Sequence, residues 1–184
     1  LIKAFEIVKD NPNLEFWRVF LATMVQFSGE YEIERYTKKA RLLFPENKQI
    51  SYLIDLNIYG TDKFSNILEK TKEAESLMRK SNYLEAINSF LKVDISYLLN
   101  NENINLNIAK CYLNIKDYNS AGSFIDTVIK LNSNSGEGFF LKAVVAQNIG
   151  ETNELSCDLL NRAINLNYRP AKKLLIDYKC YNKP

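Results

Sequence analysis

Three segments of this chain carry one pattern at a fixed spacing. Tyr83, Ala86, Phe90 and Val93 are followed by Tyr118, Ala121, Ile125 and Val128, and then by Asn153, Ser156, Leu160 and Ala163. Each step is 35 residues. Within a copy, the positions lie three or four residues apart, which places them on one face of a helix. A period of this size marks a unit that cannot bury its apolar face alone, so neighbouring units must stack to make a core. The pattern therefore predicts an all-α chain, built as a superhelical stack of antiparallel helix pairs.

The rest of the chain fits the same plan less evenly. Leu1 to Lys9 reads as a helix end stopped by Asp10-Asn11-Pro12, because Pro12 cannot continue a helix and pushes the residue before it out of the α region. Asn13 can cap the next helix. The apolar residues between Leu14 and Phe27 recur at helical spacing over a broad face. Ser28-Gly29 break that run, and Tyr31, Ile33, Tyr36, Ala40 and Leu43 mark its partner, which stops at Phe44-Pro45-Glu46-Asn47. Gln49 to Tyr59 reads as a further helix closed by Gly60, with Asp62 as N-cap of the next.

Residues 63–80 then carry one continuous apolar stripe, predicting a single long helix that interrupts regular stacking. Two blocks result: residues 1–80, irregular, and residues 81–184, regular. In the second block the expected helices are 83–95, 104–115, 118–131, 137–149 and 155–166. Asn100 to Asn103 forms a loop. A terminal helix over 170–181 begins at Pro170 and is expected either to cover the last open face or to lead on into more of a larger protein.

The order Trp17, Phe20-Leu21, Gly29, Tyr31, Ala40, Pro45 resembles a tetratricopeptide repeat. Leu21 and Ile33 depart from that pattern by replacing small residues, so the first helix pair is expected to be slightly splayed or shifted in register. The resemblance is closest from Lys80 to Leu166, where the step of 35 against the usual 34 implies one extra residue per loop.

The resemblance also implies a concave groove lined by the first helix of each pair. Its candidate residues are Asn103, Leu106, Asn107, Lys110 and Asn114 in one unit and Leu141, Lys142, Val145 and Asn148 in the next, with Arg18, Ala22 and Val25 in the first unit. Asn side chains can pair with a peptide backbone whatever its sequence, apolar neighbours can hold a side chain, and the two Lys can take a carboxylate. The carboxylate clamp of chaperone-tail-binding members is absent. Asn107 and Lys142 match parts of it, but Thr71 and Glu75 stand where its opening Lys and Asn belong.

Composition removes other functions. The chain has no His, which excludes His-based triads and His metal sites, and its six Gly are too scattered for a phosphate loop. No carboxylate pair is placed for acid–base work, so neither catalysis nor a cofactor or metal is expected. Net charge is +2 with the cations spread along the chain, unlike a nucleic-acid binder. No apolar run approaches the roughly 18 residues that would insert in a membrane. Cys111, Cys157 and Cys180 are far apart with no CxxC pair, which suggests free thiols in a reducing compartment and a cytoplasmic protein.

The sequence starts at Leu1 within helical pattern, suggesting a piece of a larger protein. The function expected is a non-catalytic protein-interaction module that takes a peptide or helix of a partner in its groove. Two alternatives stay open: an accessory domain positioning a protein substrate for a larger enzyme such as a glycosyltransferase, and self-association through Tyr-rich convex faces or open terminal helices.

Overall fold

A computed structural model describes residues 13–27 and 30–180. The helix end expected before Asp10, the Ser28-Gly29 turn and Tyr181 of the expected terminal helix lie outside the described residues, and within them that helix spans only Ala171–Asp177. Among those described there are eleven α-helices and no strand. The chain divides into two compact units, Leu1–Leu68 and Glu69–Pro184. The division falls inside the long fourth helix.

The first unit holds α1 (Leu14–Phe27), α2 (Glu30–Leu43), α3 (Lys48–Tyr59) and the start of α4 (Thr61–Arg79). Asn13 caps α1, its Oδ1 accepting from the Phe16 N–H at 3.0 Å. Asn47 caps α3 by accepting from the Gln49 and Ile50 N–H groups. Both satisfy donors that a helix start leaves without partners. Gly60 adopts φ 76°, a left-handed conformation that favours glycine, and there the chain turns from α3 into α4. Helix α4 begins at Thr61, so Asp62 lies in its first turn instead of capping it.

The core of this unit joins Trp17, Phe20, Leu21 and Met24 of α1 to Tyr36 and Ala40 of α2 and to Ile50 and Ile54 of α3. Phe20 and Tyr36 meet edge-on at 5.2 Å. Leu21 is fully buried where the repeat pattern has a small residue.

The second unit continues from α4 through α5 (Tyr83–Leu91), α6 (Ile95–Leu99), α7 (Glu102–Asn114), α8 (Tyr118–Leu131), α9 (Gly136–Asn148), α10 (Asn153–Asn165) and α11 (Ala171–Asp177). The helix expected over 83–95 is two helices. Asp94 starts the second by accepting from the Ser96 N–H at 3.0 Å and from the Ser96 hydroxyl. The expected loop at 100–103 is shorter, because Asn101 caps α7 by accepting from the Ile104 N–H. Asp117, Ser135 and Thr152 cap α8, α9 and α10 in the same way.

Most of the periodic positions are core, while Tyr83 and Tyr118 are half-buried and Asn153 is exposed. Ala86, Phe90, Ala121, Ile125, Val128, Ser156, Leu160 and Ala163 are all fully buried. One cluster joins Leu106 and Ala109 of α7, Ala121, Ile125 and Val128 of α8, and Leu141 and Val145 of α9. The next joins Phe139 and Ala143 of α9, Leu160 and Ala163 of α10, and Ala171 of α11. Cys111 is buried among apolar groups, which pushes its thiol up to about 11.

The other two cysteines depart from the expected free thiols. Cys157 of α10 is joined to Cys180, just past α11, with Cα atoms 5.4 Å apart. Their separation of 23 residues hid the pairing in the sequence, since only the antiparallel return of α11 along α10 brings them together.

Candidate functional site: the shared face of α7 and α9

At 100° per residue, Asn103, Asn107, Lys110 and Asn114 fall within an arc of roughly 60° on α7. Lys110 fixes where that arc points. Its Nζ lies 2.8 Å from Glu137 Oε1 at the start of α9. Glu137, Phe140, Val144 and Asn148 in turn share one face of α9. Tyr168, in the segment leading into α11, closes the arrangement. Its hydroxyl donates to Glu137 Oε1 at 3.5 Å and its ring centroid is 5.2 Å from that of Phe140. Three successive segments therefore present Lys110, Glu137, Phe140 and Tyr168 side by side.

The surface is polar at its margins and aromatic in its middle. Asn103, Asn114 and Asn148 are exposed, while Asn107, Lys110, Phe140 and Val144 are half-buried. Asn114 and Asn148 play equivalent parts. Each donates from Nδ2 to the carbonyl four residues earlier, Lys110 O and Val144 O, at 2.8 Å. Each keeps its carboxamide oxygen as an acceptor. Burial, then the charge of Glu137, pushes the Tyr168 phenol above its ordinary range, so it remains a hydrogen-bond donor.

Four of the expected groove residues sit elsewhere. Leu106, Leu141 and Val145 are 5%, 7% and 6% exposed and pack in the core between α7, α8 and α9. Lys142 turns to the opposite side of α9 and pairs with Asp126 of α8 at 2.6 Å. Asn103, Asn107, Lys110, Asn114 and Asn148 do lie on the shared face. In the first unit Ala22 is exposed, Val25 is half-buried, and Arg18 pairs with Glu15 at 2.8 Å.

Leu141, Lys142 and Val145 stand 35 residues after Leu106, Asn107 and Lys110, the step of the second helices, while Leu106 is buried on its own account against α8 and α9. The first helices step by 34, since α7 at Glu102–Asn114 recurs as α9 at Gly136–Asn148. The extra residue lies between α9 and α10. A shift of one residue rotates a helix face by 100°, which replaces Glu137, Phe140 and Val144 with their buried neighbours. The sequence holds the signal in Ala109 and Ala143, both wholly buried and 34 apart. Lys116 and Gly150, the left-handed turn residues after α7 and α9, repeat it.

This face offers amide donors and acceptors, an ion pair and an aromatic shelf, which suit holding a polypeptide segment. Among the described residues no three His, Cys, Asp or Glu side chains are grouped to hold a metal ion, and no helix is long and apolar enough to cross a membrane.

No family model matches this chain. No curated protein matches it either. Among solved structures it is similar to the first tetratricopeptide domain of Spaghetti (RPAP3) bound to the HSP90 peptide SRMEEVD. Identity is 17%, the match covers 61% of this chain and 94% of that one, and the TM-score is 0.50. The likeness is one of fold: the chain has a tetratricopeptide-type architecture of consecutive antiparallel helix pairs.

Proposed function

We propose that this chain is a non-catalytic protein-interaction module that takes a peptide or helix of a partner protein on the shared face of α7 and α9. The observation carrying this reading is the continuous line from Lys110 through Glu137 to Tyr168, flanked by Asn side chains. Among the described residues, Asn103 and Asn107 have no side-chain hydrogen-bond partner. Such amides can pair with main-chain groups of an incoming segment, while the Phe140–Tyr168 shelf receives an apolar side chain. The similar domain of known structure holds a peptide, which is consistent with this use of the fold.

The test is selection of binders from a random peptide library displayed on phage. Affinities of the selected peptides are then measured for Asn103→Ala/Asn107→Ala and for Lys130→Ala, an exposed position on α8. The expected outcome is at least tenfold weaker binding for the first variant, about 1.4 kcal/mol, with Lys130→Ala unchanged. Selected peptides that bind the α7 variant as tightly as the native chain would sink the proposal.

A further inference from the structure

Helix α11 is held at one end by the chain and at the other by a bond. It has seven residues, about two turns, too few to be stable in water by itself. Its buried surface is small: Ala171 is fully buried, while Leu174, Leu175 and Tyr178 are half-buried against the cluster of Phe139, Ala143, Leu160 and Ala163. Beyond the disulfide, among the described residues its far end has one side-chain hydrogen bond to α10, from Asn153 Nδ2 to the Tyr178 carbonyl at 3.1 Å. The Cys157–Cys180 bond closes a loop of 23 residues across this far end. Both cysteines are half-buried. The core of Leu106, Ala109, Ala121, Ile125 and Val128 contains no residue of α11.

We propose that the Cys157–Cys180 disulfide is a redox-sensitive latch on the terminal helix: closed, it holds α11 over the last helix pair, and opened, it lets α11 detach while α7 to α10 stay folded. The reductant is a dithiol, either a small molecule or a protein. Its thiolate attacks one cysteine sulfur, breaking the Sγ–Sγ bond, forming a mixed disulfide and releasing the other cysteine as thiolate. The second thiol of the reductant then attacks the mixed disulfide. The dithiol leaves as its own disulfide, its two electrons transferred, and both cysteines take up protons to end as thiols. Opening leaves α11 joined to the rest of the unit by the backbone at Pro170 and uncovers the apolar face of α9 and α10 that it had covered, a face that an array otherwise caps.

Hydrogen–deuterium exchange on the full chain tests this, comparing the oxidised protein, the dithiothreitol-treated protein and Cys157→Ser/Cys180→Ser. Losing closure of a loop of this length is worth on the order of a hundredfold in local opening. Exchange at 171–178 should rise by that factor after reduction and in the double variant, with peptides from α7 and α8 keeping their oxidised rates. Unchanged exchange at 171–178 after reduction would overturn the latch. So would loss of protection throughout α7 to α10, which would make the bond a staple of the whole unit. A double variant that differs from the reduced protein would overturn it too, as would non-reducing peptide maps showing Cys157 and Cys180 unlinked.

Discussion

Ser156 stands where the other copies of the period have Ala86 and Ala121, and it is as fully buried as they are. The position demands a small side chain, which Ser satisfies, but its Oγ is buried without a hydrogen-bond partner among the described residues. Removing an unsatisfied buried hydroxyl without changing shape is favourable. Ser156→Ala should therefore raise stability by about 1 kcal/mol, read as a higher urea midpoint at unchanged slope. Gly136 is the opposite case. A Cβ there would lie 2.8 Å from Tyr168 Cβ and 3.3 Å from Leu166 Cβ, so α9 can start where it does only because the residue has no side chain. Gly136→Ala should lower stability by about 1–3 kcal/mol in the same measurement. Because the obstructing atom carries the Tyr168 ring, it should also weaken peptide binding at the shared face.

Buried asparagines join elements in both units by one device. Asn57 Nδ2 donates to Leu21 O on α1 and to Leu53 O one turn back on α3. Asn105 Nδ2 donates to Leu98 O on α6 and to Asn101 O one turn back. Neither was foreseen, because an Asn in a helical pattern reads as surface until the carbonyl it reaches is known. Caps were more legible, since their partners lie two or three residues away. Asp117 shows how one responds to pH. Hydrogen bonds from Ser120, side chain first and then backbone N–H, hold its carboxyl below the ordinary carboxylate value. A lowered folded value means that the stabilisation is complete above the ordinary value and is lost as pH falls through the folded one. Amide protection in the first turn of α8, taken relative to the intrinsic exchange rate at each pH, should fall on acidification across that window. Asp117→Asn, which still caps, should remove this loss of protection.

At the scale of the molecule, the chain is two units, each with its own core. Trp17 is the single tryptophan, is fully buried, and belongs to the first unit. Its emission therefore reports that core. Ile125, fully buried in the second unit, should cost about 2–5 kcal/mol when truncated to Ala. In a repeat stack stability is passed between nearest neighbours. Ile125→Ala should thus move the far-ultraviolet circular dichroism transition to lower denaturant while the Trp17 emission transition keeps its native midpoint. Coincident shifts of both signals would contradict this.

The sequence by itself determined the helix-pair fold, the order of helices and the small and apolar positions at their contacts, because a 3.6-residue turn nested in a 35-residue period leaves few other ways to bury those side chains. It also determined the Asn and Lys stripe on α7. Only the tertiary structure decided which face of α9 stays open, since one residue of loop length turns that face by 100°. It likewise decided that Lys142 faces Asp126, that Glu137 joins Lys110 to Tyr168, and that Cys157 meets Cys180. Each of these depends on how one helix is rotated and seated against another, and pattern along a single helix carries no record of its neighbour's azimuth.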